Sequence, residues 1–153
     1  KYQKDYKNAR FEAAFPQIVN FVDGKYRTKA TKSGRALAGL SMGGFNTMFI
    51  SAAFPDLFDY VGLFSAGIDY KGLDMNNPIY SDLKGKLKAQ KEAGYKLYWI
   101  GDGNDDPWLP GVKDHMKLMD SLGMTYTFYP TTRGHIWANW RKFLLQFAPK
   151  LFK

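Results

Sequence analysis

Gly39-Leu40-Ser41-Met42-Gly43 fits the pattern G-x-S-x-G and is the most informative stretch of the sequence. It lies between an apolar run at residues 36–38 and an apolar-rich segment at residues 45–54 that can begin a helix. A strand that turns sharply into a helix strains the residue at the turn, and flanking glycines avoid collisions there. The pattern predicts that the Ser41 hydroxyl is exposed at the carboxyl end of a strand, near the positive end of the next helix.

The rest of the chain alternates between helical and extended patterns. Helices are predicted at residues 11–26, 44–54, 79–93, 111–122 and 136–147, and strands at residues 35–40, 60–65, 96–100 and 125–129. Pro16 lies inside the first helix and is expected to break or kink it. Strands that alternate with helices predict an α/β fold, with a mostly parallel sheet and helices on both faces. Ligands bind beyond the carboxyl ends of such strands, so the loops that follow the strands are the candidate site.

The composition excludes several classes of function. The 153 residues contain no cysteine, which excludes disulfides, thiolate catalysis and cysteine-bound metal. The net charge of +8 is spread along the sequence, without the basic stripe of a nucleic-acid-binding protein. No apolar stretch is long enough to span a membrane. We therefore expect neither a nucleic acid nor a membrane as a partner.

Two histidines are available as partners for Ser41. A serine hydroxyl needs a neighbouring imidazole to take its proton, and the imidazole needs a carboxylate to fix its tautomer. His115 falls inside a predicted helix, where a surface histidine without a catalytic role is the expected interpretation. His135 follows the last predicted strand, so it is the predicted partner of Ser41.

The carboxylate is expected in the loop after the third predicted strand. That loop contains Asp102, Asp105 and Asp106, and the loop position alone does not distinguish between them. The order serine, aspartate, histidine along the chain is that of α/β-hydrolases and differs from the orders in other serine hydrolases.

Four segments of the chain resemble the Putative esterase family of α/β-hydrolases, which includes feruloyl esterases, acetylxylan esterases and esterase D. They are residues 35–44, residues 54–58, residues 99–101 with the acidic loop, and residues 134–137 with 140–141. The likeness runs from about Phe11 to the C-terminus and is strongest to the feruloyl and acetylxylan esterases of gut and rumen bacteria. Counted from Gly101, the spacing usual in that branch implies Asp106 as the acid, with Asp105 as the second choice.

The resemblance implies a serine esterase that acts on acyl esters of plant cell-wall polysaccharide, without a metal or organic cofactor. Ser41, Asp106 and His135 would form its catalytic triad, and the Met42 N–H would hold the oxyanion. A secreted or periplasmic bacterial location is also expected from the resemblance.

Three further side chains are predicted to contact the substrate. Trp108 and Trp137 are candidates to line the pocket, although each could equally be an ordinary core or surface aromatic residue. Arg133 stands where the family usually has glycine, and its guanidinium could either obstruct the site or bind a substrate carboxylate.

The segment before the serine is short for this family. Only 40 residues precede Ser41, and the chain begins with Lys1 rather than Met. The resemblance therefore implies that residues 1–153 are the C-terminal part of a single α/β-hydrolase domain. The first strands and the loop that donates the second oxyanion N–H would be missing. A second chain that completes the fold, a truncated fragment and a shortened inactive relative are the alternatives.

Two functions of other classes stay open on the sequence. One is a non-catalytic carbohydrate-binding or scaffold domain that keeps the serine turn by descent. The other is acyl transfer to a sugar, as in the mycolyltransferases, which share this fold.

Overall fold

The computed structural model describes residues 7–153, which contain one parallel four-stranded sheet. The strands stand in chain order and are β1 (Ala36–Leu40), β2 (Tyr60–Phe64), β3 (Leu97–Gly103) and β4 (Thr127–Thr131). The helices are α1 (Arg10–Lys25), α2 (Met42–Ala53), α3 (Leu83–Ala93), α4 (Leu109–Ser121) and α5 (Trp137–Phe147). The predicted α/β architecture with a parallel sheet is confirmed.

Helices cover both faces of the sheet. Successive side chains of a strand point to opposite faces, so neighbouring residues of β2 and β3 belong to different clusters. The cluster on one face joins the sheet to α2, α3 and α4 through Phe45, Leu63, Leu87, Ile100 and Val112. The cluster on the other face joins the sheet to α5 through Phe64, Trp99, Phe143 and Phe147. Both faces are therefore buried beside the central strands, as a parallel sheet requires.

Two predicted helices differ from those in the structure. Pro16 does not break the first helix, because α1 continues through it to Lys25 and packs Val19 against α2. The helix predicted from residue 79 begins only at Leu83. The Asp82 carboxylate caps it by accepting a hydrogen bond from the Gly85 N–H at 3.0 Å, and this cap fixes the start of the helix.

β3 is longer than predicted. The predicted strand ends at residue 100, because the glycines and the aspartate of Gly101-Asp102-Gly103 favour a turn. In the structure, Asp102 pairs with Pro130 and Gly103 pairs with Thr131, so β4 holds these residues in the sheet. Asp102 consequently belongs to the strand and is buried, which separates it from the loop aspartates.

β1 forms one edge of the sheet within the described residues and pairs only with β2. α1, which lies beside this edge, exposes four large apolar side chains, those of Phe11, Ile18, Phe21 and Val22. A groove of about 440 Å³ runs along α1, and its lining includes Phe15, Ile18, Val22, Ala36 and Phe58. The strand that carries the serine turn is therefore also the strand with an open edge.

Candidate active site

Ser41 occupies a strained turn between β1 and α2. Its backbone has φ 54° and ψ −118°, a conformation that residues other than glycine rarely adopt. Two hydrogen bonds hold it in place, because the Ser41 N–H donates to the Phe64 carbonyl and the Ser41 carbonyl accepts from the Gly67 N–H, both at 2.9 Å. The strained residue is thus Ser41, the predicted nucleophile, and hydrogen bonds to β2 and to the segment after β2 hold its backbone.

The glycines around Ser41 do not share one role. A Cβ on Gly39 would lie 2.2 Å from the Gly43 carbonyl oxygen, and a Cβ on Gly44 would lie 2.8 Å from the Ala66 Cβ. A Cβ on Gly43 would meet open space. Both glycines of the pattern were expected to be needed because a side chain there would collide with its surroundings. This expectation is wrong for Gly43. Close backbone approach requires glycine at positions 39 and 44.

His135 lies between Ser41 and Asp106. Its Nε2 is 2.9 Å from the Ser41 Oγ, and its Nδ1 is 2.9 Å from one Asp106 carboxylate oxygen and 3.2 Å from the other. The His135 side chain is 25% exposed and the Asp106 side chain is fully buried. The imidazole can therefore reach solvent and substrate, while its carboxylate partner is shielded from water.

Of the three candidate acids, only Asp106 contacts His135. The Trp108 backbone N–H donates to the Asp106 Oδ1 at 3.0 Å, which orients the carboxylate. Asp105 is exposed, and its backbone N–H donates to the Arg133 carbonyl. Asp102 lies within β3. The structure thus brings together Ser41, Asp106 and His135, and neither Asp102 nor Asp105 contacts His135.

The acidic loop and the histidine loop are joined through their backbones. The Asn104 N–H donates to the Thr131 carbonyl at 2.8 Å. A Cβ on Gly103 would lie 2.2 Å from the Arg133 oxygen, and one on Gly134 would lie 2.8 Å from the Asp105 oxygen. The two loops approach so closely that neither position has room for a side chain. This contact sets the separation between the carboxylate and the imidazole.

Asn139, which was not predicted from the sequence, holds the histidine loop, the segment between β4 and α5 that carries His135, by hydrogen bonds. It is buried in the first turn of α5, and its amide donates to the carbonyls of Thr132 and Gly134 at 3.0 and 2.9 Å. Both acceptors lie in the loop that carries His135, so the amide restricts its position. A polar residue on the buried face of an amphipathic helix, one turn after His135, was the available signal.

Arg133 has a left-handed backbone with φ 71°. Glycine adopts that conformation without strain, which accounts for the glycine expected there from the resemblance. The Arg133 side chain is exposed and its carbonyl is the acceptor for the acidic loop. Its guanidinium therefore leaves the contact between Asp106 and His135 unobstructed.

Aromatic rings surround one side of His135. The Trp140 ring meets the His135 ring edge-on at 5.0 Å, and the Trp137 ring meets the Trp140 ring at the same distance. Trp137 is 66% exposed. Trp108 lies at the start of α4 and is half-buried, where its backbone rather than its ring contacts Asp106.

Met42 is the first residue of α2, so its N–H belongs to the helix end that carries partial positive charge. It directly follows Ser41 in the chain. An oxyanion that forms at a carbonyl attacked by the Ser41 Oγ would therefore lie close to this N–H.

His115 lies within α4 as predicted, but the expectation of a surface histidine there is wrong, because its side chain is buried. Burial lowers the pKa of His115 to about 4, and its Nε2 lies 3.1 Å from the Tyr98 hydroxyl. Burial raises the pKa of Asp102 to about 7, and the neighbouring charge of Asp106 adds to this shift.

Within residues 7–153, no group of three or more His, Cys, Asp or Glu side chains is arranged to hold a metal ion. The helices of that range are all too short or too polar to cross a membrane.

Comparison with known proteins gives a family match over nearly the whole chain. The family model described as Putative esterase matches residues 2–151. A protein named endo-1,4-beta-xylanase/feruloyl esterase, from Xylanibacter ruminicola, is 28% identical over 138 residues. Those residues are 90% of this chain and 17% of the relative.

Two solved structures share the fold. A ferulic acid esterase superposes with a TM-score of 0.71 at 24% identity, covering 89% of this chain and 58% of that protein. S-formylglutathione hydrolase from Staphylococcus aureus superposes with a TM-score of 0.75 at 18% identity, covering 96% of this chain and 64% of that protein. The chain thus spans less than two thirds of the length of each of these relatives.

Proposed function

The chain belongs to the Putative esterase family, and we propose that it hydrolyses carboxylic esters with Ser41 as the nucleophile. One observation carries this proposal: the His135 Nε2 is 2.9 Å from the Ser41 Oγ while its Nδ1 is 2.9 Å from the Asp106 carboxylate. In this arrangement the imidazole can take the hydroxyl proton while the buried carboxylate fixes its tautomer.

The proposed reaction proceeds in two acyl-transfer steps. The Ser41 Oγ attacks the ester carbonyl carbon while the His135 Nε2 takes its proton. The carbonyl oxygen becomes an oxyanion, which the Met42 N–H stabilises. When this intermediate collapses, the bond to the alcohol breaks and the His135 Nε2 gives its proton to the leaving oxygen. The His135 Nε2 then takes a proton from water, whose oxygen attacks the carbonyl carbon of the acyl-serine. The bond from this carbon to the Ser41 Oγ breaks, the Oγ takes the proton back from His135, and the acid is released.

Asp106 has the role of orienting and charge-balancing group. Its carboxylate accepts a hydrogen bond from the Nδ1–H of His135, which leaves the Nε2 lone pair directed at Ser41. The negative charge of Asp106 also stabilises the imidazolium that forms in each step. Because the Asp106 side chain is buried, water screens this interaction little.

We propose feruloyl esters of plant xylan as the substrate class, with acetylxylan as the alternative. The name of the Xylanibacter ruminicola relative supports this choice, as do the rings beside His135. The exposed Trp137 ring can stack on a sugar or a phenolic ring, and Arg133 carries a positive charge on the same loop as His135. Such a polymer cannot enter a cell, so we propose that the protein acts outside the cytoplasm.

We also propose that a second chain or a further segment pairs with the open edge of β1 and provides a second oxyanion donor. The edge strand and the apolar groove beside α1 support this proposal. Loss of one such donor commonly costs about 10²–10³ in kcat. Light scattering verifies that the isolated chain is a monomer. We expect this monomer to hydrolyse esters about 10²–10³-fold more slowly than the chain paired at β1 with the second chain or further segment. Equal turnover by the two forms would contradict this part of the proposal.

The main proposal is tested by hydrolysis of methyl ferulate with the wild-type chain and with Ser41→Ala. Chromatography measures the ferulic acid that each protein releases. We expect measurable release by the wild type and loss of this release in the variant. Ser33→Ala, which removes an exposed hydroxyl at a distance from His135, is the matched control. Equal release by wild type and Ser41→Ala would contradict the proposal. Transfer of the acyl group to an added sugar such as trehalose, in place of release, would assign an acyltransferase.

A further inference from the structure

Asp102 is a buried carboxyl group at the end of β3 that the proposed reaction does not use. The residue has no exposed surface. Its Oδ1 accepts a hydrogen bond from the Gly103 N–H at 2.8 Å, whereas its Oδ2 has no donor within the described residues. Pairing with Pro130 fixes its backbone, and the Thr131 hydroxyl donates to its carbonyl at 3.3 Å. The sheet therefore holds the side chain in a place where water cannot solvate a charge.

The Asp106 carboxyl group is the neighbour that matters for Asp102. The turn after β3 carries Asp106 back over the end of the strand, because the Asp106 N–H donates to the Gly103 carbonyl at 3.0 Å, and both carboxyl groups are buried. A charge on Asp106 therefore opposes a charge on Asp102. Two carboxylate oxygens cannot hydrogen bond to each other unless one of them carries a proton. Asp106 already accepts from the Trp108 N–H and faces the Nδ1 of His135. The proton therefore belongs on Asp102.

The other titratable groups nearby do not balance a charge on Asp102. Asp105 and Arg133, on the two loops, are exposed, as are Lys113 and Asp114 on α4, so solvent screens them. His115 on α4 is buried and neutral, since burial lowers its pKa to about 4. The buried polar side chains of Ser65, after β2, and Asn139, on α5, are uncharged. Burial, followed by the charge of Asp106, raises the pKa of Asp102 to about 7.

We propose that Asp102 is a positioning residue that keeps a proton and donates it in a hydrogen bond from its Oδ2 to the Asp106 carboxylate. This inference rests on the proposed function, because Asp106 acts there as the partner of His135. The proton stays on Asp102 throughout the reaction, and no bond to it breaks. When Asp102 ionises in alkali, the donor is lost and two negative charges stand side by side. Asp106 then shifts away from His135, and turnover falls.

The first test measures the protonation of Asp102 and does not depend on turnover. Carboxyl carbons of aspartate are labelled with carbon-13 and titrated by NMR, and the Asp102 signal is assigned by its absence in Asp102→Asn. We expect this signal to titrate near neutral pH in the wild type and at lower pH in Asp106→Asn, where the neighbouring charge is gone. An Asp102 signal that is already ionised at about pH 5 would overturn the inference.

The second test is the pH dependence of kcat for ester hydrolysis. The amide of Asp102→Asn can donate to Asp106 and cannot ionise. We expect kcat of the wild type to fall roughly tenfold per pH unit well above neutrality. In Asp102→Asn this fall should be absent, with a loss of less than about tenfold at pH 6 and little change in KM. Asp105→Asn makes the same replacement at an exposed position in the loop after β3 and should keep the wild-type profile.

Two results of the kinetic test would overturn the inference. One is an alkaline fall in Asp102→Asn equal to that of the wild type. The other is a loss in Asp102→Asn at every pH as large as in Asp106→Asn, in a variant whose thermal unfolding matches the wild type. Failure of the proposed function would instead appear as absence of hydrolysis in the wild type, and the NMR titration would still decide the state of Asp102.

Discussion

The regions around the two histidines differ in every property that catalysis needs. His115 on α4 is 1% exposed, its pKa is lowered to about 4, and its Nδ1 has no partner within the described residues. His135, at the carboxyl end of the sheet, is part-exposed and contacts a hydroxyl on one side and a carboxylate on the other. The first environment suppresses a charge on the imidazole. The second places a hydroxyl and a buried carboxylate against the two nitrogens of the imidazole.

The comparison teaches that burial and the available partners together set what a histidine can do. Tyr98 is neutral and cannot balance an imidazolium at His115. Asp106 can balance one at His135, and the carboxyl ends of two parallel strands bring these side chains together. The variants below change one side of this comparison at a time.

The largest effect is expected at the reacting pair. Ser41→Ala and His135→Ala should each lower kcat on a phenolic ester by on the order of 10⁴–10⁶, because each removes a group that the proton transfer needs. The two losses should not add, since the residues act as a unit. Kinetics of the single and double variants check this. A double variant far slower than either single variant would contradict a shared step.

A somewhat smaller loss is expected for Asp106→Asn. The amide can donate to the Nδ1 of His135, which favours the tautomer that has its proton on Nε2 and cannot accept the Ser41 proton. The amide also carries no charge to stabilise an imidazolium, so kcat should fall by about 10⁴. Asp105→Asn, the matched control in the same loop, should remain close to wild type. A larger loss at Asp105 than at Asp106 would contradict the pairing of Asp106 with His135.

An intermediate effect is expected for Asn139→Ala. This change leaves the Thr132 and Gly134 carbonyls without their buried donor, so the histidine loop should loosen. We expect kcat to fall by about 10–100-fold and the free energy of unfolding to fall by about 1–3 kcal/mol. Turnover and denaturant unfolding are measured in parallel. Unchanged turnover in a destabilised variant would mean that Asn139 supports only the fold.

The smallest effect on turnover is expected for His115→Gln, which keeps a hydrogen-bonding group for Tyr98 and cannot ionise. Activity should stay within about twofold of wild type because His115 has no contact with the reacting groups. Stability should respond differently to acid. The folded-state pKa of His115 is lowered from 6.5 to about 4, so the unfolded chain binds a proton first as the pH falls through this window.

The wild type should therefore lose on the order of 3 kcal/mol more than His115→Gln between pH 6.5 and about pH 4. Below that window both states bind the proton and the difference stays constant. Urea unfolding at several pH values measures it. Parallel acid dependence in the two proteins would contradict a neutral buried His115.

The sequence predicted the elements that depend on local signals. The strand, turn and helix around Ser41 follow from glycine and apolar patterning, and the alternation of elements follows from periodicity. These signals lie within a few residues of the feature they predict. The predicted contact of His135 with Ser41 used only the order of strands, which fixes where their carboxyl ends meet.

Other features depend on contacts between distant segments and were not predicted. Gly101-Asp102-Gly103 favours a turn locally, and only pairing with β4 keeps it in the sheet. The support from Asn139 depends on how α5 meets the histidine loop. The choice of Asp106 over its neighbours came from a family spacing, because three aspartates in one loop carry the same local signal.

The central claim, that the environment of His135 activates Ser41, is tested most directly by covalent labelling with a fluorophosphonate, followed by mass mapping of the labelled peptide. The account predicts a label on Ser41 in the wild type, the same rate of labelling in His115→Gln, and a rate lowered by orders of magnitude in His135→Ala. Labelling of Ser41 at the wild-type rate in His135→Ala, or a label on another serine, would contradict it.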